Sequence, residues 1–153
     1  LGTPPINVFR GKVENHKIKH LSSIDVPLNT LTHLVYNDKY NILYGASYAD
    51  GSYFKVNYNL NTLKFEKMQC FYQGGKCHCV SISEDKEYLY ITNIEQDKIY
   101  KYDNKGNPKE ALNNYGVKTS YGYNNQTNEL INKTITSKTN GSMEINYHPL
   151  QWR

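Results

Sequence analysis

A chain of 153 residues with 38% hydrophobic residues is long enough to bury a core, and its size suits one ordinary domain. A net charge of +4 comes from lysines scattered along the chain, with only two arginines, Arg10 and Arg153, near its ends. That is not the clustered basic patch a nucleic-acid groove needs, and no stretch approaches the ~20 apolar residues of a membrane helix. Nucleic-acid and membrane partners are therefore not expected.

Leu1 opens directly into polar residues, without the basic and apolar regions of a signal peptide, and the first residue is not Met. The natural amino terminus is expected to lie outside this sequence. Fifteen tyrosines and abundant Asn suit an all-β chain, because Tyr fits a half-buried pleat and Asn tolerates tight turns.

In chain order, Ile6–Arg10 and Ile18–Val26 read as two strands. Leu31–Tyr36 is apolar and β-branched, and Asn37-Asp38-Lys39 turns the chain into Ile42–Ser47. Tyr48-Ala49-Asp50-Gly51 turns it again. Ser52–Tyr58 then alternates, with Tyr53, Lys55 and Asn57 on one side and Phe54, Val56 and Tyr58 on the other. Asn59-Leu60-Asn61-Thr62 leads into Lys64–Phe71. The pattern recurs in Cys77–Ser83, the Glu84-Asp85-Lys86 turn, Tyr88–Asn93, Lys98–Asp103 and the Asn104-Lys105-Gly106 turn. No segment has a capped helical period.

From about Asn113 the period is lost and the chain becomes rich in Asn, Thr, Ser and Gly, with Tyr115–Tyr123 and Ile131–Thr136 as candidate strands. Asn125, Asn132 and Asn140 each begin an Asn-X-Ser/Thr triplet, an acceptor site only in a secretory lumen.

Two anchors set a repeat. His33 and His78 stand 45 residues apart, and the pairs Leu43-Tyr44 and Leu89-Tyr90 stand 46 apart. Phe9, Phe54 and Tyr100 fall 45 and then 46 apart. A unit of about 40–50 residues holding four short strands is the signature of a β-propeller blade. The expected fold is all-β, a partial propeller of four-stranded antiparallel blades. It divides into a blade end at 1–27, blades at 28–73 and 74–112, and an irregular or degenerate further blade at 113–153. Such an array leaves two sheet faces without a neighbouring blade, and self-association through them is expected.

The run THLVYN…LYGASYADGSYFKV, followed by GGKCHCVSIS…EYLYITNIEQDKIYKYD, resembles the lactonase family of 6-phosphogluconolactonase type, over Ile6 to Asp103. The resemblance implies a seven-bladed parent and hydrolysis of a sugar lactone; a cytoplasmic setting is expected from the cysteines, read as reduced thiols. It aligns His33 with an entry histidine, Tyr48 and Gly51 with a turn, His78 with the second histidine of a paired entry and Asp97 with a turn aspartate. Three positions depart from the family pattern: Ser47 stands for Asn, Lys76 for the first entry histidine and Asn93 for the first turn aspartate.

Lactone hydrolysis needs a base for the attacking water and donors for the developing oxyanion. Imidazoles titrate near neutral pH, at about 6.5, so His78 oriented by Asp97 is the expected catalytic pair. His33, Tyr48, Lys76 and Lys98 are the expected substrate-binding residues, the lysines facing a sugar phosphate. No metal and no cofactor is required. Against this stand structural readings: His33 and His78 as links between blades, Asp97 as a turn cap, Tyr48 and Gly51 as turn geometry, and His16, His20 and His148 as surface residues.

Cys70, Cys77 and Cys79 are expected to be reduced thiols. Consecutive strand positions point to opposite faces, so Cys77, His78 and Cys79 do not converge on a zinc ion. A propeller that binds a ligand or a partner protein without catalysis is the alternative function, and an inactive fragment is a third.

Overall fold

A computed structural model of the chain describes residues 6–147, all of whose regular elements are β-strands. His148 and Arg153 lie outside the described residues. A hairpin of β1 (Ile6–Glu14) and β2 (Lys17–Val26) opens the chain. It turns at Asn15-His16, both in the left-handed region at φ 50° and 61°. A four-stranded antiparallel sheet follows: β3 (Leu31–Asn37), β4 (Ile42–Ser47), β5 (Ser52–Asn59) and β6 (Lys64–Tyr72). The third sheet begins with β7 (Cys77–Ile82), β8 (Tyr88–Asn93), β9 (Lys98–Asp103) and β10 (Pro108–Asn113), again a simple up-and-down order.

The chain beyond residue 113 is not irregular. It forms β11 (Lys118–Tyr123), β12 (Leu130–Ser137) and β13 (Gly141–Asn146), which extend the third sheet to seven strands instead of starting a new one. The physical reason is local. Asn113-Asn114-Tyr115-Gly116 makes a tight turn, with Gly116 at φ 77°, and the returning strand pairs directly with β10. The side chains beyond it are too polar to bury a fresh face, and every residue of β13 is exposed.

The second sheet buries both faces, and the period-2 alternation of β5 divides them. Tyr53 joins Ile42, Tyr44 and Ala46 on one face, against Cys77, Val80, Leu89, Ile91 and Tyr102 of the third sheet. Phe54 and Val56 point the other way, onto Val8, Val26 and Leu28 of the hairpin and its exit. Face-to-face packing between successive repeats is how blades bury their apolar sides. The all-β, four-stranded, blade-like architecture expected from the repeat is the one present.

Polar groups reinforce the same contact. The Tyr53 ring stacks on Phe71 at 4.8 Å and meets the Tyr102 ring tilted at the same distance, and its hydroxyl donates to the Gly106 carbonyl at 3.1 Å. Lys55 Nζ donates to the Asn104 carbonyl at 2.9 Å. At the same end of the sheets, the equivalent β3–β4 and β7–β8 turns clamp each other. Asn37 Nδ2 donates to the Lys86 carbonyl at 2.8 Å, and the pairs Lys39–Glu87 and Lys86–Asp38 cross between them.

Phe54 is fully buried, and its ring occupies the space that a side chain at Gly45 would need. Phe54→Ala should destabilise the protein by about 3–5 kcal/mol, the range for truncating a buried aromatic. Urea denaturation would register this as a lower midpoint; a loss under 1 kcal/mol would show that the hairpin does not seal this face.

Candidate functional site

The loops entering β3 and β7 and the turns β4–β5 and β8–β9 meet at one end of the second and third sheets. Their linkage starts from glycine. Gly51 sits at φ 57°, and any Cβ there would collide with the Gly75 carbonyl oxygen. This lets the Gly51 carbonyl accept from the amides of both Gln73 and Gly74 at 3.0 Å. The turn of one sheet thus grips the loop leading into the next.

Asp50 braces the preceding turn. It accepts from the Asn29 amide at 2.7 Å, from Asn29 Nδ2 and from the Ser47 hydroxyl. Donation by Ser47 and then by Asn29 outweighs burial and holds its carboxyl below the ordinary carboxylate range. Asn93 does the same work one repeat later. It is buried, its Nδ2 donates to the Gly74 carbonyl at 2.7 Å, and its Oδ1 accepts from the amides of Lys76 and Gln96. A carboxylate at this position has no hydrogen to give Gly74, so an amide and not an aspartate suits the loop here.

On this scaffold Tyr48, Lys76 and His78 come together. The Lys76 ammonium lies 5.3 Å from the centroid of the Tyr48 ring, and the His78 imidazole meets the same ring edge-on at 6.2 Å. Lys76 and His78 are exposed and Tyr48 is partly so. His78 Nδ1 lies 3.1 Å from Cys79 Sγ, a contact between sequence neighbours that a regular strand would forbid. A register shift between Cys77 and Val80 in β7 allows it.

The other expected residues lie elsewhere. Asp97 is exposed, in the left-handed region at φ 50°, and occupies the repeat position of Gly51. No hydrogen bond joins its carboxylate to His78 or to any other described residue; its carbonyl accepts from the Asn114 amide at 3.3 Å. With Lys98 it lines a cleft of about 300 Å3 that includes Ile99, Leu112 and Asn113. His33 is exposed on β3 and lines a separate, open groove between the second and third sheets, with Asn37, Asp38 and Lys86.

Thr32 and Gln73 escaped the sequence reading. Thr32 Oγ1 donates to the His78 carbonyl at 2.7 Å, so the cross-sheet bond at this repeat position is made by the histidine's main chain. The signal for it was the spacing, since the two residues stand one repeat apart. Gln73 precedes the Gly74-Gly75 pair, and its Oε1 accepts from the Cys77 thiol at 3.4 Å. Cys77 is fully buried, and burial pushes its thiol up to about 11. All three cysteines are free. Among the described residues no three His, Cys, Asp or Glu side chains gather as a metal site, and no helix is long and apolar enough to cross a membrane.

The architecture is that of a partial β-propeller. No family model and no curated protein matches the chain. Solved structures do match its fold. A protein from Lactobacillus plantarum is similar at 12% identity with a TM-score of 0.58, over 95% of this chain and 50% of that one. A luciferin-regenerating enzyme is similar at 14% identity with a TM-score of 0.57, over 90% of this chain and 45% of that one. The chain spans about half the length of these structures.

Asn93→Ala removes the donor to Gly74 and the acceptor for Lys76 and Gln96. Leaving such buried groups without partners costs about 1–3 kcal/mol each. The variant should lose stability on that scale and show faster amide exchange at Lys76 and Gln96 by NMR; unchanged exchange would mean that Asn93 does not hold the two loops together.

Proposed function

We propose that the Tyr48–Lys76–His78 cluster belongs to the ligand site of a hydrolase that opens a sugar-type lactone, as the resemblance to 6-phosphogluconolactonase implies. The observation that carries this reading is the convergence of an ammonium, an aromatic platform and an imidazole at the entry of β7. The similarity to a luciferin-regenerating enzyme supports an enzyme on this type of fold at the level of architecture alone.

In the reaction, the His78 tautomer protonated at Nδ1 donates to Cys79 Sγ and leaves Nε2 as the base. Nε2 takes a proton from water as the oxygen attacks the lactone carbonyl carbon. The ring C–O bond then breaks, and the departing alkoxide recovers that proton, giving the open hydroxy acid. Cys79 thus takes the orienting place the sequence reading gave to Asp97. Lys76 balances a phosphate or carboxylate on the substrate, and Tyr48 supports its apolar face. Lys98 and Asp97 serve the neighbouring cleft, and His33 the groove beside β3. The three free cysteines favour a reducing, cytoplasmic setting.

The missing hydrogen bond between His78 and Asp97 favours a second reading, a propeller that binds a sugar lactone or a partner protein without turning it over.

The protein should accelerate hydrolysis of 6-phosphogluconolactone over the spontaneous rate, and His78→Ala should reduce that acceleration on the order of 100-fold or more, the usual contribution of a general base. Lys76→Ala should act mainly through KM. Calorimetric binding of the lactone with no acceleration would establish the second reading instead, and full activity in His78→Ala would remove His78 from the chemistry.

A further inference from the structure

Of the three thiols, one has a base beside it. Cys70 is exposed on β6, Cys77 is buried, and Cys79 is partly exposed on β7. Among the described residues only Cys79 lies within hydrogen-bond reach of an imidazole, at 3.1 Å from His78 Nδ1. Cys77 instead donates to Gln73, and burial pushes its thiol up to about 11. A cysteine is a strong nucleophile only as its thiolate, and an imidazole that takes the thiol proton supplies that form. Cys79 and His78 are therefore a nucleophile and its base, and not an isolated cysteine.

The fold holds the pair in place. Neighbours on a regular strand point to opposite faces, and the shift in register between Cys77 and Val80 turns these two side chains together. The Cys79 amide donates to Thr92 Oγ1 at 3.0 Å, and the His78 carbonyl accepts from Thr32 Oγ1 at 2.7 Å, so the main chain is tied to β8 on one side and to β3 on the other. Tyr48 meets the His78 ring edge-on at 6.2 Å and orients it. A neighbouring sheet does not close the position. Cys79 stands 46 residues after His33, and β3 and β7 shift register at the equivalent place. The third sheet packs beside the second, yet His33 stays exposed on an open groove of about 610 Å3. A sheet stacked on the third in the same way leaves Cys79 within reach of a small molecule.

We propose that Cys79 is a modification site, which small disulfides convert to a mixed disulfide with His78 as the base. In the tautomer of His78 protonated at Nε2, Nδ1 takes the thiol proton. Cys79 Sγ attacks one sulfur of the small disulfide, its S–S bond breaks, and the departing thiolate recovers the proton from Nδ1. The small disulfide is the oxidant, and one small thiol is released for each mixed disulfide formed. The step uses no feature of a lactone, so it stands whether or not the rim hydrolyses one.

Brief treatment with oxidised glutathione, followed by acid quenching and peptide mass mapping, tests this. Exposure alone ranks Cys70 first. The pair ranks Cys79 first, with a rate on the order of 10-fold above that of Cys70. His78→Ala should slow Cys79 by about the same factor and leave Cys70 unchanged, the Cys70 rate and the circular dichroism showing that the variant keeps its fold. Should it unfold, His78→Gln, which keeps a polar side chain and no base, carries the same test. In urea the preference for Cys79 should disappear, because the bulge that brings ring and thiol together is gone. Faster modification of Cys70 in the folded protein, an unchanged Cys79 rate in the folded variant or a preference that persists undiminished in urea would each overturn the proposal.

Discussion

The structure depends on the contact between the second and third sheets, centred on Tyr53. A four-stranded sheet of this composition has too little apolar surface to stand alone, and it becomes stable by burying a face on its neighbour. Tyr53 contributes its ring to Phe71 and Tyr102 and its hydroxyl to the Gly106 carbonyl, so one side chain meets both the apolar and the polar demand of the interface. Burial and the neighbouring Tyr44 raise its phenol far above the ordinary tyrosine range, which keeps it a neutral donor.

The arrangement of the rim follows from that contact. Because the sheets repeat every 45–46 residues and stack in the same orientation, each turn after a second strand falls beside the loop entering the next sheet. Gly51 of the second sheet and Asn93 of the third both hold the loop entering β7, the first through its backbone and the second through its side chain. Lys76 and His78 flank the start of β7, which is why they reach Tyr48 of the preceding sheet. The chemistry proposed for the rim is thus a consequence of stacking and not of a motif in one strand.

Much of this was legible in the residues. The Phe9, Phe54 and Tyr100 spacing exposed the repeat, and the alternation of Ser52–Tyr58 predicted which of its residues share a side of β5. In the tail the strands at Tyr115–Tyr123 and Ile131–Thr136 were legible, as β11 and β12 show, but their sheet was not, because these Asn- and Thr-rich strands carry no apolar alternation. Their place is decided by pairing to the β10 edge, which leaves no trace in the side chains. The site was legible only in part. Placing entry loops and middle turns on one rim put Tyr48 near His78, without Lys76 as their partner. The His78–Cys79 contact could not be read, since it depends on a bulge in β7 that breaks the simple alternation. Asp97 occupies, at φ 50°, a turn position that Gly fills one repeat earlier, in keeping with the turn reading set beside the catalytic one.

Native-state hydrogen exchange tests the stacking of the second and third sheets most directly. If the sheets depend on each other, the amides of Ala46 and Tyr53 and those of Leu89 and Ile91 should exchange with one common opening free energy, and Tyr53→Ala should lower all four together. Exchange of the third sheet that stays unchanged when Tyr53 is truncated would contradict the account, because two sheets that open independently do not form one rim.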